Sequence, residues 1–245
     1  MPKIRINFRG FLTNVDSSIL QLKLKYGFKI KALSENEAFN FMVHVAGVSH
    51  MEAGKTLFMR YPCLDSQEKQ VYVVYNSIDV DTDSIENIIF DSIARFSNKH
   101  IHNYLIPTFR VMRLFKAGDL RMPLHYYYII KNEKPSSFMS GSSSKSVSHE
   151  LFHLESSELG YFNNFLQETT LPFKKGFLQL AFGNFELSYE ISNVASSFLT
   201  LMISMETLLN PGEHELRYRI SRNTAVLLGT NEKESKAIFS EMKEL

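Results

Sequence analysis

FLTLMISMETLL (Phe198–Leu209) and LRYRISRNTAVLL (Leu216–Leu228) decide how this 245-residue chain is read. Val194, Phe198, Leu201, Met202, Met205, Leu208 and Leu209 recur at helical spacing and form one apolar stripe, as the core side of a helix should. Leu216, Ile220, Thr224, Leu227 and Leu228 form the stripe of a second helix. Asn210-Pro211-Gly212 stops the first helix and Gly229 the second. Outward from these, Phe177 to Tyr189 is apolar nearly all round, the pattern of a buried helix. Asn231 with Glu234 is a capping box that opens a last helix. Ser157 is expected to cap a helix reaching about Thr169, so 151–245 is predicted to be all-helical.

The front of the chain is mixed. Ile4, Ile6 and Phe8 alternate with Arg5 and Asn7, the period of a strand. Leu20–Lys25 and Phe28–Lys31 flank Tyr26-Gly27 and read as a hairpin. Ser34 and Glu37 form a capping box for a helix over about 35–46, with strands following near 55–60 and 70–77. Asp83 with Glu86 opens a helix near 84–104 that Pro107 stops. Phe109–Phe115 and Leu124–Ile130 read as extended, with Gly118 between them. Residues 135–148, PSSFMSGSSSKSVS, cannot bury enough apolar surface to offset their ordering entropy and read as a linker. The predicted organisation is an α+β domain over 1–134, a serine-rich connection over 135–150 and a helical domain over 151–245.

Composition narrows the function classes. The net charge is +1, so any nucleic-acid site must be a local patch. The one cysteine, Cys63, excludes a disulfide framework and a cysteine-rich zinc site. The opening MPKIRINFRG has the alternation of a strand, not the continuous apolar run of a signal peptide. The most apolar stretch, 198–209, is too short and too polar to span a bilayer. A reducing, bacterial cytoplasm is the expected compartment, with no membrane association and no cofactor.

Taken together, FLQLAFGNFELSYE, FLTLMISMETLL, LRYRISRNTAVLL and AIFSEMKEL resemble the Apea-like HEPN family. The likeness covers about the last third of the chain. Glu206 matches the family's hydrophobic-Glu-x-Leu-hydrophobic signature; Tyr218, Ser221, Arg222 and Ala225 match the Tyr-x-x-Ser-x-x-Ala helix with its adjacent arginine. RVMRLFKAGDL resembles what precedes the helical domain in such proteins. The resemblance implies an all-α HEPN-like bundle, a homodimer formed through it, and metal-independent RNA cleavage of the prokaryotic defence or stress type. An Arg-x4–6-His pair on a late helix would supply the proton transfer and the charge stabilisation. That motif is expected beyond Leu245, in a truncated segment, so the chain as it stands is expected to be inactive. The alternative is a non-catalytic HEPN module that dimerises or binds RNA.

Other constellations invite chemistry. Arg95 and His100 satisfy Arg-x4-His, and His102 extends the spacing to six, but they precede the helices that should lead into the motif. Five residues along an α-helix also turn two side chains about 140° apart. His149-Glu150-Leu-Phe-His153 is a literal H-E-x-x-H, which on a helix could hold zinc with Glu150 as base. It follows the serine-rich stretch, precedes the helix signal and lacks the third histidine of the extended motif; Glu168, Glu186 and Glu190 are the remaining candidate ligands. Asp79, Asp81 and Asp83 resemble a calcium loop but lack its glycine and its final glutamate. Lys23, Lys25, Lys29 and Lys31 alternate with apolar residues. On paired strands they would share a face with Lys3, Arg5 and Arg9 and could contact an RNA backbone, a solvated face being the plainer alternative. Glu206 and Arg222 are the expected buried pair of the helical domain.

Overall fold

Period-2 alternation in the first strand organises the N-terminal unit, because it sends large side chains to both faces of a sheet. The computed structural model describes residues 3–60, 70–81, 87–131, 134–141, 151–169, 176–209 and 216–244. The chain is α+β and divides into two compact units, Met1–Thr169 and Thr170–Leu245.

In the first unit β1 (Lys3–Thr13), β2 (Lys29–Ser34), β3 (Gln70–Asp81), β4 (Arg121–Lys131) and β5 (Lys134–Gly141) make one antiparallel sheet in the order β2-β3-β1-β4-β5. On one face, Phe11, Val73, Leu33 and Tyr126 are buried under α1 (Glu35–Asn40), the π-helical turn Phe41–Val45 and α2 (His50–Arg60). On the other, Phe8 meets Phe28, Phe96, His125 and Tyr127 at ring separations of 5.5–6.2 Å. That face lies under α3 (Asn87–Phe96), a π-helical stretch Ser97–Leu105 and α4 (Ile106–Phe115). Each large side chain buried this way stabilises the fold by roughly 1.5–3 kcal/mol.

Several expectations are corrected. Residues 20–25 are not a strand: a 3-10 turn covers Ser17–Gln21 and the chain beyond it is irregular. Its polar groups bond to side chains instead. The Lys23 amide donates to Asn163 Oδ1, the Lys23 carbonyl accepts from Gln167, and the Lys25 amide donates to the Tyr104 hydroxyl. The Tyr26-Gly27 turn does form, with φ of 58° and 79°, and β2 pairs with β3. The strand expected near 55–60 is α2, whose start carries the overlooked signal Ser49-x-x-Glu52, with the Glu52 amide on Ser49 Oγ. The capping box of Ser34 and Glu37 forms as expected.

Pro107 does not stop a helix. It occupies the first turn of α4, where its missing amide costs little, and the wider π winding runs directly into it. Phe109–Phe115, expected to be extended, is therefore helical, burying Thr108, Phe109, Val111 and Met112. Asp83 and Glu86 lie outside the described residues, as do Asn210, Pro211 and Gly212.

The serine-rich stretch is not all linker. Its first part is β5, held by backbone pairing from Leu124↔Gly141 to Lys131↔Lys134, which needs no apolar side chains; 142–150 lie outside the described residues. The predicted domain boundary moves accordingly, to 169/170. Phe152 is fully buried, its amide donating to Asn14 O, and α5 (Leu159–Glu168) sets Phe162 4.5 Å from Phe115. Gly118, at φ +143°, lies so close that a Cβ there would sit 2.6 Å from Phe152 Cα. Ser157 does not cap α5. The Glu158 carboxylate instead accepts from the Glu155 amide and meets Lys116 Nζ at 2.6 Å. A buried triad ties α4 to β4: Asp119 Oδ1 lies 3.0 Å from Arg113 and 2.7 Å from Arg121.

The second unit holds α6 (Gly176–Ser188), α7 (Val194–Leu209), α8 (Leu216–Leu228) and α9 (Glu232–Glu244), the all-helical content expected of this region. They form two antiparallel helical hairpins, α6 with α7 and α8 with α9. No helix among the described residues is long and apolar enough to cross a membrane.

Candidate functional site

Two surfaces collect the candidate residues, one in each unit. The first lies on the sheet. Strand alternation puts Arg5, Asn7 and Arg9 of β1, Tyr75, Ser77 and Asp79 of β3, Lys29 and Lys31 of β2 and Tyr128 of β4 on one face, where Tyr128 packs against the cluster under α1 and α2 with its ring 5.3 Å from that of Phe41. Lys29 and Arg9 stand opposite the same residue, Tyr75, from the two strands that flank it. The Arg9 guanidinium lies 3.9 Å from the centre of the Phe41 ring and 5.9 Å from that of Tyr128. Its Nε is buried without a hydrogen-bond partner. Burial lowers the Arg9 pKa, opposed by the Tyr128 hydroxyl and by Glu37. Lys31 Nζ lies 5.4 Å from the Tyr75 ring; burial lowers its pKa, and the charge of Arg9 adds to the effect. Arg5 is exposed and forms a two-pronged pair with Asp79, at 2.8 and 3.1 Å.

The four lysines expected on one hairpin face therefore separate. Lys29 and Lys31 join Arg5 and Arg9. Lys23 and Lys25 lie on the irregular segment before the turn, where Lys25 Nζ reaches the Thr169 carbonyl at 3.5 Å. Tyr75 and Tyr128 had no distinguishing signal in the sequence; only the register brings their rings beside the cations.

The second surface is α7. Most of its expected inward stripe points outward: Val194 is 84% and Phe198 63% exposed, and Met202, Met205 and Leu208 are exposed with their neighbours Leu199 and Ile203, whereas Leu201 is half-buried and Leu209 is buried as expected. Thr200 and Ser204 are buried instead. Ser204 Oγ donates to Ala181 O, and Ser197 Oγ to Ser188 O. Small hydroxyl side chains let α6 and α7 approach closely, which large residues would prevent. α6 likewise buries Ala181, Glu186 and Ser188 while Leu180 and Leu187 are exposed, contrary to its expected burial all round.

The residues named by the family resemblance divide. Ser221 (1% exposed), Thr224 and Ala225 are buried, whereas Leu227 and Leu228 of the expected stripe are exposed. Tyr218 packs edge-on to Phe239 at 5.7 Å. Glu206 and Arg222 are both exposed, and no ion pair joins them, so the expected buried pair is corrected. The first half of the α9 capping box forms as expected, Asn231 Oδ1 accepting from the Glu234 amide, but the Glu234 carboxylate returns one residue earlier, accepting from the Thr230 amide and hydroxyl.

The histidine motifs do not converge. His149 and Glu150 lie outside the described residues, and 151–155 is not helical. His153 Nδ1 sits 2.6 Å from Asp16 Oδ2. Burial alone would raise the Asp16 pKa, but the Ser18 hydrogen bonds and His153 outweigh it and hold Asp16 low. No group of three His, Cys, Asp or Glu among the described residues could hold a metal ion. Arg95 and His100 straddle the junction of α3 and the π-helical stretch. Arg95 is exposed, and the His100 ring lies 5.1 Å from Phe96 and 5.5 Å from Tyr26. One histidine stood out only in three dimensions: His125 of β4 is buried beside Phe8 and Tyr127, with neither ring nitrogen hydrogen-bonded. Burial, and secondarily His102, lower its pKa to about 4, so it is neutral at pH 7. A scan against protein-family models finds no match for the chain, and searches of curated proteins and of solved structures find none.

Proposed function

We propose that residues 176–244 are a HEPN-like helical module through which two copies of the chain associate, making this an interaction protein of the prokaryotic defence or stress type. The observation that carries this is the outward apolar face of α7. A helix apolar over most of its circumference is ordinarily covered, and monomers rarely leave more than a few hundred Å² of contiguous apolar surface open. A standard interface takes roughly 800 Å² from each partner. A second copy would present the same face about a twofold axis and cover it symmetrically. The buried Ser221 and Ala225, and the helical hairpins, support the family likeness.

Cleavage of RNA finds less support. It would require an arginine and a histidine brought together, the pair that the resemblance expects beyond Leu245, and it rests on that resemblance alone. Sedimentation of the full chain at micromolar concentration should give a dimer. Phe198→Asp with Met202→Glu should give a monomer of unchanged circular dichroism. A wild-type chain that sediments as a monomer at tens of micromolar would end this assignment.

A further inference from the structure

We infer that the open half of the sheet, centred on Arg9, Lys29, Lys31, Tyr75 and Tyr128, is a binding platform for single-stranded nucleic acid. It belongs to a different unit from the helical module and does not depend on assembly.

Three observations carry it. The first is charge. By register Lys3, Arg5, Arg9, Lys29 and Lys31 share one face with Asp79, paired to Arg5, and Asp81, while Glu37 of α1 is held in its capping box. The chain as a whole carries only +1, so this is a local concentration of positive charge. The second is the alternation of cation and ring. Register puts Tyr75 between Lys29 and Arg9, and Tyr128 on the other side of Arg9. Neighbouring strands lie about 4.8 Å apart, and same-face neighbours along a strand about 6.7 Å apart. A single strand of nucleic acid laid across such a surface can set phosphates on the cations and bases against the rings. The third is how Arg9 is held. Stacking on Phe41 fixes its guanidinium, yet its Nε has no hydrogen-bond partner, so positive charge is desolvated at the site before any ligand arrives. A duplex offers no unstacked bases to the two rings. A phosphopeptide would use the cations and leave the rings idle. Both are therefore disfavoured.

The test is fluorescence anisotropy of the full chain with labelled 16-residue oligo-U and oligo-dT at two salt concentrations. Both should bind at moderate salt, with a log–log salt slope of about −2, equivalent to about three phosphates neutralised on a single strand. Tighter binding of oligo-U would mark RNA as the source; equal binding would mark single strands without sugar discrimination. Lys29→Glu, at an exposed position, should weaken binding several-fold, and Lys29→Glu with Lys31→Glu by roughly tenfold or more. Tyr75→Ser should weaken it about fivefold and leave the salt slope unchanged, because stacking is not ionic. Lys23→Glu with Lys25→Glu, off the face, should change little. The platform is refuted if neither oligonucleotide binds, if the Lys23/Lys25 variant loses as much as the Lys29/Lys31 variant, or if dextran sulfate or a duplex competes as well as oligo-U.

Discussion

The two units solve burial in opposite ways. In the sheet unit Phe8, Phe11, Tyr126, Phe152 and Phe162 lie inside, and the charges buried with them, Arg113, Asp119 and Arg121, are paired to one another. In the helical unit serine, threonine and alanine lie at the helix contacts, and Val194, Phe198, Leu199 and Leu227 lie outside. The first arrangement is closed: its stability comes from apolar surface hidden within the unit. The second is open. Hydrogen bonds such as Ser204 to Ala181 O fix its helices, while much of its apolar surface is still available for use. A unit can therefore be well defined in geometry while large apolar side chains stay on its surface.

The contrast can be broken at its strongest point first. Asp119→Ala should strip the carboxylate from the buried pair of guanidiniums of Arg113 and Arg121. The expected cost is about 3–5 kcal/mol, read as a large fall in the urea midpoint of the sheet unit. Helical signal from 176–244 should melt where it did before. Loss of both together would show that the units do not unfold independently.

Next comes acid. The folded state holds His125 neutral down to about pH 4, whereas the unfolded chain takes up the proton near 6.5. Between those values the unfolded state binds more protons, so stability falls as pH drops through the window and is unaffected above it. The full loss is of order 3 kcal/mol. His125→Phe should flatten this slope in urea titrations between pH 7 and pH 4.5. A slope unchanged by the substitution would assign the acid response to other groups.

Ser204→Leu sharpens the comparison from the other side. A core of large side chains loses stability when truncated, but this contact should lose it when enlarged, by about 1–3 kcal/mol. Ser204→Ala, which removes only the bond to Ala181 O, should cost about 1 kcal/mol. Thermal melts of both variants would show which matters more, space or the hydroxyl. Smallest of all, Ser34→Ala at the exposed cap of α1 should cost about 1 kcal/mol and move only the sheet unit.

Local chemistry was legible in the sequence where a signal needs few residues. The Ser34–Glu37 box, the turn at Tyr26-Gly27, the strands β1, β3 and β4 and the helix end at Gly229 all follow from neighbours. What failed needed distant partners. The Lys23–Lys25 segment looks like a strand until Asn163, Gln167 and Tyr104 take its polar groups. The serines of β5 look like linker because composition records side chains, whereas pairing uses the backbone. The stripe on α7 was correct as a pattern and wrong in direction over most of its length, Leu209 being the exception. Periodicity locates an apolar face but does not say whether the cover lies in the same unit. The sheet platform was half visible: alternating lysines and arginines were evident, but not which would share a face, nor that Tyr75 and Tyr128 would stand among them.

The outer strands of the sheet carry one last implication. β2 sets Lys29 and Lys31 along one margin, and β5 carries Pro135, which has no amide to donate, opposite Ile130 on the other. Cations on one margin and a missing donor on the other are what keep sheets from adding strands of neighbouring molecules. Fibre-like growth through the margins of the sheet is thereby discouraged.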